Sequence, residues 1–315
     1  MGYDTSFHPL PLDLVTERLI PYLLGEGDID DLVAQAVHLR RVRSRAKAWA
    51  LACQQVEPAP RRLDPWLHVW GRPFFLVIDD LDLMLDVHEQ YLQASLEQVD
   101  QLALEQLHTL DPGLAHGVRA RLQLPDDPGD QALRDDVLWR LDILRAAVAA
   151  VRQGVHHLEA GGRTHDPRQL LRREVPFAVL SLVASLSPGW MSRGTTWPSG
   201  LLAEVPLPTL PFFASPEPLL GSLPRAVPDQ GFFLYPTIVE NFMVGGLVAP
   251  SYLAPLRRYL AEHRAALLSL RPAAEQPDLG RELRKLDEAL AFAQRRGWAF
   301  VEATDLYSGL QGLLN

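Results

Sequence analysis

The sequence predicts a mainly α-helical protein with a few short strands and one long, ordered segment rich in proline and aromatic residues. Along most of its 315 residues, apolar side chains recur at alternating spacings of three and four, which is typical of helices that bury one stripe. Residues 188–250 differ, because they hold eleven of the 26 prolines together with eight aromatic residues. Disordered segments contain few aromatic residues, so we expect this segment to be ordered and irregular.

Size and composition indicate a protein with a substantial core. The chain is 47% hydrophobic and 22% charged, which are the proportions of a globular protein. The change at residue 188 divides the chain into a helical region over 1–187, the irregular segment over 188–250 and a second helical region over 251–315. We expect the irregular segment to pack on the helices, so that the three parts form one compact unit.

The formal net charge of −9 disfavours nucleic acid as a partner, because an acidic protein repels phosphate, and it suits a basic partner protein. The single cysteine, Cys53, allows no disulfide within the chain and no thiolate zinc site. No apolar run reaches the length of about 18 residues that a membrane span needs. The N-terminus lacks the basic and apolar regions of a secretory signal. These observations predict a cytoplasmic protein.

The first two helices are predicted over 12–24 and 28–56, and the sequence GEGD separates them. Cys53 lies on the apolar stripe of the second helix, so we interpret it as a small core residue. The same helix carries a basic cluster, which we expect to occupy solvated faces and to form ion pairs with a neighbouring acidic helix. The cluster consists of Arg40, Arg41, Arg43, Arg45 and Lys47.

The remaining helices follow from the same periodicity and from breaks at proline and glycine. They are predicted over 81–110, 113–123, 130–160, 169–186, 251–270 and 279–296. Gly161 and Gly162 are expected to end the third of these helices. The apolar run over 74–78 fits either a buried strand or a buried helix, and short strands or turns are expected at 232–235 and 298–301.

An acidic cluster follows the apolar run and contains Asp79, Asp80, Asp82 and Asp86. In the main interpretation, Asp79 or Asp80 caps the helix over 81–110 and the other carboxylates complement its dipole. Asp80 and Asp82 also resemble the Asp-x-Asp motif of haloacid-dehalogenase-type phosphatases, in which one carboxylate attacks phosphorus, the other transfers protons and Mg²⁺ assists. The chain departs from that family afterwards, because Met84 stands where threonine or valine is usual and no alternating strand–helix series follows.

Other catalytic and metal-binding motifs are missing from the sequence. The ten histidines form no helical zinc-ligand pair, and the adjacent His156 and His157 point to different sides of their predicted helix. We interpret His263 as a core or subunit-contact residue, and we expect His88 to flank the apolar stripe of the helix over 81–110. There is no nucleophile elbow, no P-loop and no dinucleotide-binding fingerprint. The sequence therefore predicts no catalytic residue, no metal site and no cofactor.

The C-terminal third contains one pattern that runs through two successive stretches, GGLVAPSYLAPLRRYLAEHRAALL (245–268) and LRKLDEALAFAQRRGWAFVEATDL (283–306). It consists of Gly-Gly-x-Val-x-Pro, two helices and an aromatic turn that leads to Glu-Ala-Thr-Asp. The pattern resembles bacterial immunity-type proteins and uncharacterised proteins that accompany secreted toxins. The resemblance implies a non-enzymatic protein that binds and blocks a toxin.

The leading hypothesis is therefore an immunity protein that covers the active site of a cognate bacterial toxin. Acidic side chains that enter a basic cleft speed association and exclude substrate. The expected partner-binding residues lie in two acidic stretches and in the aromatic segment: Asp79, Asp80, Asp82, Asp126, Asp127, Asp130, Trp190 and Trp197. The alternatives are a Mg²⁺-dependent phosphohydrolase that uses Asp80 and Asp82, and a helical scaffold that dimerises through its helices.

Overall fold

The computed structural model describes residues 5–56, 80–187, 192–194, 196–205, 212–214, 223, 244–304 and 306. It confirms the mainly α-helical fold class, because helices dominate these ranges and the strands among them are short. None of the described helices is long and apolar enough to cross a membrane. The runs predicted at 74–78 and 232–235 lie outside the described residues, as do Asp79 and Trp190.

The elements follow one another along the chain, and a π-helical turn over Val15–Leu19 precedes the first α-helix. The helices are α1 (Ile20–Leu23), α2 (Asp30–Gln54), α3 (Leu81–Gln93), α4 (Leu96–Leu110), α5 (Leu114–Arg119), α6 (Asp130–Arg152), α7 (Pro167–Ser185), α8 (Pro198–Glu204), α9 (Pro250–Glu262), α10 (Arg264–Ser269) and α11 (Gln276–Arg296). The strands are β1 (Thr5–Leu10), β2 (Leu158–Ala160), β3 (Arg163–His165), β4 (Ser192–Gly194), β5 (Val244–Val248) and β6 (Ala299–Ala303).

The described residues form two compact units that are each discontinuous in sequence. The first unit consists of the described parts of 1–30, 136–184 and 192–310. The second unit consists of the described parts of 31–135 and 185–191. The expected division at residues 188 and 250 stays a prediction, because most of the segment between them lies outside the described residues.

A four-stranded antiparallel sheet forms part of the first unit, and its strand order is β4-β1-β6-β5. Ser6 lies opposite Ala303 and Leu10 lies opposite Ala299, so the two central strands pair over their full length. Every residue of these two strands is buried. The strand at 299–303 confirms the prediction for 298–301, whereas the sequence reading missed β1 and β5. Strands that are buried on both faces show no alternation of apolar and polar residues, and that alternation is the usual signal.

Helix α6 holds the N-terminal turn of the first unit in place. The Tyr22 hydroxyl donates to the Asp142 carboxylate at 2.6 Å, and the Arg152 guanidinium donates to the Leu24 carbonyl at 2.6 Å. The Arg145 guanidinium lies 4.9 Å from the centre of the Tyr22 ring. These contacts fix a short helical segment whose own length is too small for stability, since isolated helices of one or two turns do not persist in water.

The single helix predicted over 81–110 is wrong, because the chain breaks into α3 and α4 at Ala94 and Ser95. Ala94 is extended, with φ −68° and ψ 136°. The Ser95 hydroxyl accepts a hydrogen bond from the Gln98 N–H, and the Gln98 side chain accepts one from the Ser95 N–H at 2.7 Å. This reciprocal capping box starts a new helix at a position where the apolar periodicity continues without interruption.

The helix predicted over 130–160 is also wrong at its C-terminal end. It stops at Arg152, and residues 158–165 form the β2–β3 hairpin. Gly161 and Gly162 connect the two strands with φ angles of 57° and 73°. Two consecutive residues of positive φ form the tight turn that suits a two-residue hairpin, so this glycine pair turns a hairpin instead of ending a helix.

The core of the second unit includes Cys53, as predicted. Cys53 and Trp49 of α2 pack against Ala103 and Leu107 of α4, with Val118 of α5 beside them. Burial raises the pKa of the Cys53 thiol to about 12. The thiol is therefore protonated at neutral pH and acts as a small apolar side chain.

The basic cluster on α2 divides into two groups. Arg40 and Arg43 are buried, with 0% and 4% of their surfaces exposed, which corrects the expectation of solvated faces for these two residues. The predicted ion pairs are confirmed for two others. Arg45 forms a bidentate pair with Asp100 of α4 at 2.8 and 2.7 Å, and Arg41 pairs with carboxylates near the start of α6.

Asp100 also accepts a hydrogen bond from the indole N–H of Trp49 at 2.8 Å. Partial burial opposes ionisation of Asp100, but the hydrogen bonds from Arg45 and Trp49 and the charge of Arg45 together lower its pKa. The ionised carboxylate therefore joins α4 to α2. Without it, the two donors on α2, Arg45 and Trp49, would lose this acceptor.

We expect Asp100→Ala to lower the free energy of unfolding by about 2–3 kcal/mol, because it leaves the buried Trp49 N–H and the Arg45 guanidinium without this acceptor. Urea denaturation followed by tryptophan fluorescence measures the change. Glu105→Ala on the exposed face of the same helix is the matched control, and we expect it to stay within about 0.5 kcal/mol of the wild type. Equal effects of the two substitutions would contradict this account.

Candidate functional site

The negative charge of the protein is concentrated in residues 80–135, which are called the acidic segment below. This segment contains twelve acidic side chains and three basic ones, so it alone accounts for a net charge equal to the −9 of the whole chain. All of it belongs to the second compact unit. Five of the predicted partner-binding residues lie within it: Asp80, Asp82, Asp126, Asp127 and Asp130.

The carboxylate of Asp80 caps α3, which confirms the structural interpretation of this residue. Its Oδ1 accepts hydrogen bonds from the backbone N–H groups of Asp82 and Leu83 at 2.9 and 3.1 Å. Asp82 and Asp86 are exposed on the first two turns, and Leu83 between them is 51% exposed. The start of α3 therefore presents an exposed leucine between two carboxylates.

The second acidic stretch is held against α2 by Arg41. The guanidinium donates to both carboxylate oxygens of Asp127, at 2.7 and 3.0 Å, and to Asp130 at 2.5 Å. Hydrogen bonds from Arg41 and from the Gly129 N–H lower the pKa of Asp127. Asp127 and Asp130 are exposed but have intramolecular partners. The neighbouring Asp126 is exposed as well, and it lies near Leu124, which is 44% exposed.

Trp197, which was predicted to contact a partner, lies in the first unit and is half-buried. It occupies the position before α8 without providing a side-chain cap. Its indole N–H is buried, and it donates to no acceptor among the described residues. The predicted site residues therefore do not form one cluster, because the described aspartates and Trp197 belong to different compact units.

The sequence reading missed a polar centre around Glu302 of β6. The carboxylate is fully buried. Its Oε2 accepts from the Ser199 N–H at 3.0 Å, while its Oε1 accepts from the Gly246 N–H at 2.8 Å and from the Ser199 hydroxyl. Ser199 stands in the first turn of α8, so Glu302 supplies the N-terminal cap that the local sequence lacks.

Close packing around this centre requires glycine at 245 and 246. A Cβ atom at Gly245 would lie 2.7 Å from Oε1 of Glu302 and 2.7 Å from the Trp197 ring. A Cβ atom at Gly246 would lie 2.7 Å from the Cβ of Phe213. The Gly-Gly pair and the glutamate are the two ends of the C-terminal pattern described above, and in the structure they touch.

Burial raises the pKa of Glu302 to about 7, against the opposing effect of the hydrogen bonds from Ser199 and Gly246. Phe7 lies opposite Glu302 in the register of β1 and β6, so the next residue, His8, projects from the other face of the sheet. Burial lowers the pKa of His8 to about 3, and its imidazole is neutral at neutral pH. Because Glu302 is fully buried and its oxygens accept bonds from the protein itself, we interpret it as a structural cap.

The histidines of the described residues lie in different parts of the structure. His88, beside the apolar stripe of α3, is fully buried, and its Nε2 lies 2.9 Å from the Ser187 hydroxyl. His263 is half-buried and packs edge-on against the Tyr259 ring, while His156 and His157 are exposed beyond the end of α6. No group of three or more histidine, cysteine, aspartate or glutamate residues within the described ranges is placed to hold a metal ion.

The chain was compared with known protein families, curated proteins and solved structures. Neither a family model, nor a curated protein, nor a solved structure matches the chain.

We expect Gly245→Ala to lower the free energy of unfolding by about 2–3 kcal/mol, because the added methyl group overlaps Glu302 and Trp197. Gly280→Ala in α11 is the matched control. Its Cβ would meet only flexible side-chain atoms at 3.6 and 3.8 Å, so we expect a gain of about 0.5–1 kcal/mol from helix propensity. Thermal and urea denaturation measure both changes, and destabilisation by Gly280→Ala to the same extent would refute the steric argument.

We expect Glu302→Gln to remove a pH dependence of stability. The folded-state pKa of Glu302 is about 7 and its ordinary value is 4.5, so the folded state binds the proton more tightly than the unfolded state. Wild-type stability should therefore fall by about 3 kcal/mol relative to Glu302→Gln as the pH rises from about 4.5 through 7.

Urea denaturation of both proteins at pH 5 and pH 8 gives this difference. Because the other titrating groups are the same in both proteins, their contributions to the pH dependence cancel. His8 is one of them, because its lowered pKa removes stability as the pH falls below 6.5 in either protein. Parallel pH profiles for wild type and variant would show that Glu302 does not titrate as described.

Proposed function

We propose that the protein is a non-enzymatic binding protein whose acidic segment binds a basic partner protein, and that the partner is a cognate bacterial toxin. The observation that carries the proposal is the concentration of the net charge of the chain in residues 80–135. Such a charge distribution attracts a basic surface over a distance of about 10 Å at 0.1 M salt and raises the association rate. The resemblance of the C-terminal pattern to immunity-type proteins agrees with this proposal.

The contact residues that we propose lie in two places of the second unit, and each place combines charge with an exposed apolar side chain. Asp82, Leu83 and Asp86 extend from the first two turns of α3, and Leu124 stands two residues before the exposed Asp126. Interfaces generally combine a central apolar contact with a polar rim, and these residues supply both. The two leucines are therefore the candidates for desolvated contacts, and the carboxylates are the candidates for ion pairs.

Intramolecular contacts prepare these side chains for binding. The Asp80 cap fixes the first turn of α3, and the double ion pair of Arg41 with Asp127 and Asp130 fixes the loop that carries Asp126. A surface that is already ordered loses less conformational entropy when it binds. In this proposal Asp80, Asp127 and Asp130 position the surface, which refines the expectation that they contact the partner directly.

The proposal assigns the protein to the cytoplasm, where it would meet the toxin as a 1:1 complex without a cofactor. Acidic side chains that enter a basic active-site cleft exclude its anionic substrate. The phosphohydrolase alternative gains no support from Asp80, whose Oδ1 is occupied by two backbone donors. The scaffold alternative, with dimerisation through the helices, stays a prediction that size-exclusion chromatography tests.

We expect the purified protein to form a complex with the toxin-domain product of an adjacent gene. The triple variant Asp82→Asn, Asp86→Asn and Asp126→Asn should lower the association rate at least tenfold at about 50 mM salt, and the difference should shrink as salt is added. Surface plasmon resonance at several salt concentrations measures both effects.

The matched control removes the same charge from exposed positions of the first unit, by Asp13→Asn, Glu26→Gln and Glu262→Gln. This control should bind as the wild type does. The proposal fails if no product of a neighbouring gene forms a complex, or if both triple variants slow association equally.

A further inference from the structure

A groove of about 560 Å³ lies between α9 and α11 in the first unit, and four of the nine residues that line it are arginines. The arginines are Arg257, Arg258, Arg264 and Arg284, and the acidic residues that line it are Asp287 and Glu288. Its volume is within the range of small-molecule pockets, which is about 300–1,000 Å³. The groove therefore combines a ligand-sized space with an excess of positive charge in a chain that is acidic overall.

Two of the arginines are fixed by the protein. Arg257 forms a bidentate pair with Asp287 at 2.7 and 3.2 Å and donates to the Gln294 side chain at 3.2 Å. Arg264 donates to the Gly280 carbonyl at 3.1 Å. The Asp287 carboxylate offsets the charge of Arg257, whereas Arg264 forms no ion pair with any carboxylate among the described residues.

The other two arginines are exposed and make no hydrogen bond or ion pair within the described part of the chain. Arg258 extends from α9 and Arg284 extends from α11. Placing like charges around one groove costs electrostatic free energy, which a bound anion would recover. Each guanidinium presents a planar set of N–H donors that matches two oxygens of a phosphate group.

The same groove has a small apolar floor beside the charges. Ala261 is exposed on α9, while Leu260 of α9 and Leu283 of α11 lie beneath it with 6% and 5% of their surfaces exposed. Ligand pockets typically combine apolar walls with a few polar groups that fix the orientation of the ligand. A ligand that carries both an anionic group and an apolar or aromatic body therefore fits this lining better than a bare inorganic anion does.

We propose that the α9–α11 groove binds a small organic phosphate. Arg258 and Arg284 bind its phosphate groups, Arg264 adds a further positive charge, and the apolar residues contact its organic body. Arg257 is a positioning residue, because its pair with Asp287 holds the two helices that form the walls. This site is independent of the acidic segment, which belongs to the other compact unit.

Isothermal titration calorimetry on the full chain tests the proposal with three probes: ATP, tripolyphosphate and adenosine. We expect ATP to bind with a dissociation constant of about 1 mM or lower, and more tightly than either of the other two probes. The double variant Arg258→Gln and Arg284→Gln should weaken ATP binding at least tenfold, and the two single variants should fall between it and the wild type.

The matched control is the double variant Arg163→Gln and Arg168→Gln, which removes the same charge from exposed positions of the same unit. It should bind ATP within twofold of the wild type. Circular dichroism confirms that each variant is folded, and the single variants carry the comparison if the double variant does not fold. The proposal is overturned if the wild type binds none of the probes at 5 mM, if tripolyphosphate binds as tightly as ATP, or if the groove variants bind as the wild type does.

Discussion

The buried carboxylate of Glu302 is the interaction on which the first unit depends most directly. It joins β6, the start of α8 and the Gly246 backbone, three segments that lie far apart in sequence. A carboxylate without hydrogen-bond donors would be too costly to bury, so these three segments have to be placed together. The same constraint explains Gly245 and the short helix α8. Gly245 leaves room for the Glu302 side chain, and Ser199 at the start of α8 donates hydrogen bonds to it.

Arginine has an equivalent structural role in the second unit. Along α2, Arg45 binds the carboxylate that also accepts a hydrogen bond from the Trp49 indole. Arg41 binds Asp127 in the loop before α6 and Asp130 at the first residue of α6. Some carboxylates of the acidic segment therefore form ion pairs within the unit, and others, such as Asp86 and Asp126, are exposed to solvent. This division explains how one run of acidic residues can order a loop and also present carboxylates to solvent, as the proposed function requires.

The proposed partner and the proposed ligand make opposite electrostatic demands on one chain. The acidic segment repels anions, while the groove between α9 and α11 carries four arginines and two carboxylates. Because salt screens charges beyond about 10 Å at 0.1 M, each surface acts mainly on what comes close to it. The net charge of −9 is therefore a sum over the whole chain, and the groove between α9 and α11 is a local site of positive charge.

The sequence by itself determined the helical class, most helix positions, the core role of Cys53 and the cap at Asp80, because each depends on local periodicity or on the few residues around a helix end. It did not determine the break at Ser95, the hairpin at 158–165, the strands over 5–10 and 244–248, or the burial of Arg40. The Glu302 centre and the arginine groove were decided only by tertiary structure. The residues of each site come from segments that are separate in the sequence. No local sequence pattern predicts that Glu302 is buried beside Gly246, which lies 56 positions away.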